Sequence, residues 1–139
     1  MNAIIFFSLS KKRNAEEIAL SIEGDHYEII PDQKIVRWKL LQILYYGYLT
    51  MKNRPVKIID PNVDFSKYEH IYFVFPIWAG RPAIFMAKYI EGVQLRNKKV
   101  SLIATSDSGK KDYESNLLKH IDRSNEIINI STYKKTTKV

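Results

Sequence analysis

The sequence predicts an α/β fold: a parallel, doubly wound sheet with helices on both faces. Three observations carry that prediction. Residues 70–75, His-Ile-Tyr-Phe-Val-Phe, are an almost unbroken apolar run, as expected of a strand buried on both faces. Similar short runs alternate along the chain with segments of helical periodicity, which implies parallel strands joined by crossover helices. The 70–75 run ends in the loop Pro76-Ile77-Trp78-Ala79-Gly80-Arg81-Pro82, where a strand's carboxyl end meets the next helix. Ligands of open α/β sheets bind outside those carboxyl ends, and a tryptophan there is a platform for a flat aromatic ring.

The first strand is the apolar run 2–7, followed by a polar, basic loop over 8–14. Apolar residues at Ala15, Ile18, Ala19 and Ile22 predict a helix over 15–22. Asn14 is its expected N-cap, Glu16 and Glu17 sit in the first turn where the dipole favours acids, and Gly24 is its expected stop. Residues 27–30 predict a second strand, stopped by Pro31. The segment 38–51 is apolar and aromatic almost all round. Such a helix is either deeply buried or covers a partner or ligand, and Gly47 inside it marks a break or a close contact. Residues 54–61 read as an extended connection. Then come a third strand over 71–75, a helix over 83–91, a fourth strand over 100–105, a helix over 113–121 and a fifth strand over 126–131. Residues 132–139 read as a polar, basic tail. The whole, residues 1–139, fits one domain.

Composition narrows the chemistry. The chain has no cysteine, which excludes disulfides, thiolate metal ligands and a cysteine nucleophile. The apolar stretch 3–7 is too short for a signal peptide and no stretch is long enough to span a bilayer; the expectation is a cytoplasmic protein. His26, His70 and His120 lack metal-ligand spacing. No phosphate-binding Walker loop or Gly-x-Gly-x-x-Gly occurs, and Ser8 and Ser106 lack the glycines of a nucleophile elbow. The net charge is +7, with small basic clusters along the chain. They read as solvated loop charge, so nucleic acid is not the expected partner.

Three strand-to-helix loops line one sheet edge: 8–14, 76–82 and 105–111. The first feeds a helix N-terminus, whose unpaired N–H groups favour an anion, and Ser8 and Ser10 add hydroxyls. In the second, Gly80 permits close backbone approach. The packing alternative for Trp78 is an outlying core residue beneath the loop. The third, Thr105-Ser106-Asp107-Ser108-Gly109 with Tyr113 beyond it, offers hydroxyls and backbone donors.

Together these segments resemble the flavodoxin-like family. The opening Ile4-Ile5-Phe6-Phe7-Ser8-Leu9-Ser10, followed by Ala15-Glu16-Glu17-Ile18-Ala19, is similar to that family's first strand, phosphate loop and helix. The segment from Tyr68 to Ala83, with Pro76-Ile77-Trp78-Ala79-Gly80 at its centre, resembles the family's third strand and flavin loop, and is the most specific piece. Lys98 to Gly109 resembles its fourth strand and loop, and the aromatic stretch 38–48 one of its subgroups. The resemblance covers nearly the whole chain. It implies a three-layer α/β/α sandwich with strand order 2-1-3-4-5 and a non-covalent FMN. The phosphate would lie on Ser8, Ser10, Lys11, Lys12, Arg13 and Asn14. Pro76, Ile77, Trp78, Ala79 and Gly80 would face the isoalloxazine, with Trp78 stacked on it. Thr105, Ser106, Asp107, Ser108, Gly109 and Tyr113 would wrap its other edge.

The chain departs from the family in three ways. Lys11-Lys12-Arg13 stands where the family has Gly-Asn-Thr, the charge is basic rather than acidic, and no helix follows the fifth strand. The expectation is therefore a sheet face left for a homodimer or the 38–51 helix to cover. The expected function is an FMN-binding redox protein: an electron carrier with a protein partner, or a small quinone or protoporphyrinogen-type oxidoreductase. The alternative is a module of this fold that has lost flavin and serves in protein interaction or regulation.

Overall fold

A computed structural model of the chain describes residues 1–9, 13–32, 38–52, 54–78, 80–106, 114–134 and 137–138. The elements in chain order are β1 (Asn2–Phe6), α1 (Asn14–Leu20), β2 (Asp25–Glu28), β3 (Ile30–Pro31), α2 (Lys39–Met51), β4 (Ile58–Ile59), a single 3₁₀ turn (Phe65–Lys67), β5 (His70–Trp78), β6 (Arg81–Pro82), α3 (Ile84–Val93), β7 (Lys99–Thr105), α4 (Glu114–Leu118), β8 (Glu126–Lys134) and β9 (Thr137–Lys138). Five parallel strands lie in the order β2-β1-β5-β7-β8. That is the expected order, with β5, β7 and β8 as the third, fourth and fifth predicted strands.

The apolar runs alternate between two layers. Ile5, Phe7, Phe73, Phe75 and Leu102 face α2 and α3, where Tyr46, Leu49, Ile84 and Phe85 close the larger core. Ile4, Phe6, Val74 and Ile103 face the other way, onto Ala15, Ile18 and Ala19 of α1. Each strand side chain removed from water in this way stabilises the fold by about 1.5–3 kcal/mol. Gly24 has φ +145°, and a Cβ on it would stand 2.5 Å from the Asn2 carbonyl oxygen. Only glycine lets β2 enter alongside β1 here.

Several sequence expectations need correction. The first helix ends at Leu20 with Ser21 as its C-cap, so Gly24 is a close-approach residue and not the helix stop. The N-cap is Arg13, at φ 48° and ψ 45°, and Asn14 is already helical. The second strand spans Asp25–Glu28, and Ile30–Pro31 leaves the sheet to pair antiparallel with Ile58–Ile59. This removes Pro31, which lacks an N–H, from the main ladder. Residues 76–78 are strand, not loop: β5 runs through Trp78 and turns back as β6. Gly47 marks neither break nor contact, since α2 passes through it and a Cβ there would meet nothing within 4 Å.

The tail expectation fails for a physical reason. Alternating Asn129, Ser131 and Tyr133 with Ile130 and Thr132 suits a strand with one wet face. The strand β8 continues to Lys134 beside β7, and β9 folds back on it. The register pairs Ser101 with Asn129, Ile103 with Ser131 and Thr105 with Tyr133 on the α1 side of the sheet. His70 and Ser101 share a 2.7 Å hydrogen bond there, His70 stacks on Tyr72 at 4.2 Å, and the Asn129 amide donates to the Ser131 hydroxyl at 2.6 Å. Among the described residues this face carries α1 alone, and it is polar where α1 does not reach. The helix α2 does not cover it, because its buried side chains belong to the opposite core.

Candidate functional site

The sheet's carboxyl edge places three sequence-predicted segments side by side. Phe6 of β1 pairs with Val74 of β5, and Pro76 of β5 pairs with Thr105 of β7. Ser8, two residues beyond Phe6, therefore reaches the level of Pro76 and Thr105. With strands about 4.8 Å apart, these three positions span about 10 Å. The chain leaves β1 toward β2 on one side and β5 toward β7 on the other. The edge between β1 and β5 is thus the point where strand order reverses, the usual ligand crevice of such sheets.

On the β1 side, Ser8 is buried at 9% exposure. The Arg13 guanidinium closes the loop. It pairs with Glu16 in the first turn of α1 and with Glu28 at the end of β2, and donates to the Ser8 carbonyl at 3.4 Å. Its charge is thereby matched by two carboxylates, and it ties the first loop to the neighbouring strand. Asn14 follows as the first residue of α1. Ser10, Lys11 and Lys12 lie outside the described residues.

On the β5 side, the strand runs into a tight hairpin. Ile77 pairs with Pro82 and Trp78 with Arg81. The turn needs positive φ, which Gly80 supplies at +72°. A Cβ on Gly80 would meet nothing within 4 Å, so the turn faces open space. Ala79 lies outside the described residues. The half-buried Trp78 ring is stacked on Tyr46 of α2, with centroids 5.4 Å apart and planes 28° apart. Phe7 meets it edge-on at 5.6 Å and Phe85 at 6.2 Å. One face of the indole is thus taken by Tyr46, and three rings hold it in place. The outlying-core alternative describes this packing.

On the β7 side, Thr105 is buried and the Ser106 N–H donates to the Tyr133 carbonyl at 2.9 Å. Asp107, Ser108, Gly109 and Tyr113 lie outside the described residues. The structure therefore brings together Ser8, Arg13, Asn14, Pro76, Ile77, Trp78, Gly80, Thr105 and Ser106 on one edge.

Sequence reasoning missed Tyr46 as the partner of Trp78. Its signal was the aromatic 38–51 segment, but an all-apolar helix does not reveal which ring points inward. Among the described residues no group of three or more His, Asp or Glu side chains is placed to hold a metal. A hollow of about 680 Å³ lies at the opposite edge of the sheet, lined by Lys67, Lys98, Asn97 and Glu126 among others. Lys98 there donates to the Phe65 and Tyr68 carbonyls at 2.8 Å each, a role that ties loop to strand.

No protein-family model matches the sequence, and no curated protein matches it significantly. Solved structures do share its fold. A flavoprotein of Lactobacillus acidophilus, crystallised in complex with FMN, superposes with a TM-score of 0.73 over 94% of this chain and 91% of its own, at 20% identity. A protein assigned as a flavoprotein from Bacteroides eggerthii gives 0.74 over 98% and 89%, at 21% identity. Another from Bacteroides uniformis gives 0.70 over 97% and 92%, at 20% identity. The fold of this chain is that of the flavodoxin-like flavoproteins.

Proposed function

We propose that the chain binds FMN non-covalently at the carboxyl edge of its sheet and serves as a redox protein. The observation that carries this reading is the convergence of Ser8, Arg13, Pro76, Trp78, Gly80, Thr105 and Ser106 at the point of strand-order reversal. The FMN complex of the Lactobacillus acidophilus protein, which has the same fold, supports it.

The donor set fits a phosphorylated flat ring. The buried Ser8 and Thr105 hydroxyls supply neutral hydrogen-bonding groups on either side of the crevice. The open Gly80 turn leaves room for a ligand edge to approach backbone. The indole of Trp78, held by Tyr46, Phe7 and Phe85, offers a pre-set apolar surface. When bound, FMN supplies the electron transfer; the protein orients it and sets its surroundings. Lys11 and Lys12 are proposed to attract the phosphate, since Arg13 is already matched by Glu16 and Glu28. Electrons then pass to a protein partner or to a small quinone-like acceptor.

The test is a titration of the apo-protein with FMN, followed by quenching of flavin fluorescence. Saturable quenching at micromolar or tighter affinity supports the reading. Absence of quenching overturns it and selects the second reading, a flavin-free interaction module. The pairing of Arg13 with two carboxylates, which leaves less cationic charge in the first loop, favours that second reading.

A further inference from the structure

The helix α2 carries its apolar surface on the wrong side for a simple core helix. Successive residues are 100° apart around the axis. Tyr46, Leu49 and Thr50 face the core and are buried. Leu40, Leu41, Leu44, Tyr45, Tyr48 and Met51 face out, each between 44% and 69% exposed. Within Lys39–Met51 they occupy an arc of about 140° with no charged residue in it, and the C-cap Lys52 continues the same arc at its C-terminal end. Trp38, the N-cap, is 76% exposed at the helix start. A continuous exposed apolar face of this kind marks an interaction surface.

Charge identifies the occupant. Residues 33–59 contain six Lys and Arg and no Asp or Glu. The other 112 residues contain 16 Lys and Arg against 15 Asp and Glu, so nearly all of the +7 charge belongs to this one stretch. Lys39 begins the helix, and the exposed Lys52 and Arg54 follow its end. Apolar surface between cationic ends, with tryptophan and tyrosine alongside, suits a helix lying in the headgroup region of an anionic bilayer. A second copy packed two-fold against this helix would set cationic ends against cationic ends, with no carboxylate in the stretch to pair them.

We infer that the outer face of α2, with its basic flanks, docks on an anionic membrane surface. Tyr45 packs against Tyr46 at 5.2 Å, and Tyr46 against Trp78. The buried Tyr46 thus lies between the docking face and Trp78. The inference does not depend on flavin binding.

The experiment is co-sedimentation of the full chain with vesicles of phosphatidylglycerol and phosphatidylcholine, and with phosphatidylcholine alone. Binding to the anionic vesicles, weakened by salt and reduced at least about tenfold in Leu40→Gln/Leu44→Gln, is the expected result. Both sites are exposed, so thermal unfolding of the variant should match the parent; Lys52→Gln/Arg54→Gln should weaken binding independently. No binding to anionic vesicles, or equal binding by the leucine variant, overturns the inference. So does a dimer seen by light scattering that the leucine variant dissociates, which would assign the face to a second copy.

Discussion

At Gly24 a single hydrogen atom in place of a side chain decides whether two strands meet. A methyl group there would sit 2.6 Å from the Ile4 Cδ1 and closer still to the Asn2 carbonyl, at a φ that side chains rarely adopt. Gly24→Ala is expected to cost about 2–3 kcal/mol, read as a lower urea midpoint with unchanged slope. Trp78 is the residue on which stability and the proposed FMN binding meet. Trp78→Ala should weaken FMN binding by about 1–3 kcal/mol in the fluorescence titration. It should also lower the unfolding temperature, because Tyr46, Phe7 and Phe85 lose a shared neighbour. Trp78→Phe should restore more of the unfolding temperature than Trp78→Ala, and an unchanged dissociation constant in both variants would remove Trp78 from the site. Arg13 has a different assignment. Arg13→Gln should cost about 1 kcal/mol at low salt and less at high salt, since its pairs with Glu16 and Glu28 are partly solvated. Loss of FMN binding with no change in stability would instead make Arg13 a phosphate ligand.

Elements show where local pattern and tertiary context separate. The helix α2 contains Gly47 in an ordinary helical position with open space around it. Gly47→Ala should therefore stabilise the protein by about 0.5–1 kcal/mol, visible as a rise of a few degrees in Tm. A decrease would mean that the small residue is needed for a close approach by a partner. The strand β8 shows the opposite lesson. Its alternating polar residues were on view in the sequence, and reading them as strand rather than tail required only the two-residue period. The hairpin of β5 and β6 was harder. Pro76 and Pro82 suggest a loop, yet the ladder tolerates both: the Pro76 carbonyl accepts from the Ala83 N–H at 2.9 Å, and Pro82 lies in a strand that pairs only with β5 among the described residues.

For the molecule as a whole, pH is a direct probe of burial. His70 is held below its ordinary pKa of 6.5, first by burial and then by Lys99. His120 is lowered by burial against the opposing pull of Glu91. Both are depressed in the folded state, so near pH 6.5 the unfolded chain binds more protons than the folded one. Stability is fully present above that pH and falls as pH drops through the folded values. Urea midpoints at about pH 7.5 and about pH 5.5 should show the loss, and His70→Gln/His120→Gln should flatten it. An unaltered slope in that variant would place the pH dependence on other groups.

The class of fold and the five parallel strands follow from local chemistry that is written along the chain, while their order was an implication of the family resemblance. A doubly buried strand must be apolar throughout, and right-handed crossovers leave few ways to connect such strands. The edge that carries the candidate site was visible for the same reason, since Ser8, Trp78 and Thr105 each lie at or just beyond the carboxyl end of a strand of the sheet. The partners of those residues were not. That Arg13 meets Glu28, that Trp78 rests on Tyr46, and that α2 turns leucines and tyrosines outward all depend on contacts between segments distant in sequence. Periodicity gives the direction of a side chain relative to its own helix or strand. Only packing against the other layers decides which of two apolar faces is buried and which is left for something else to cover.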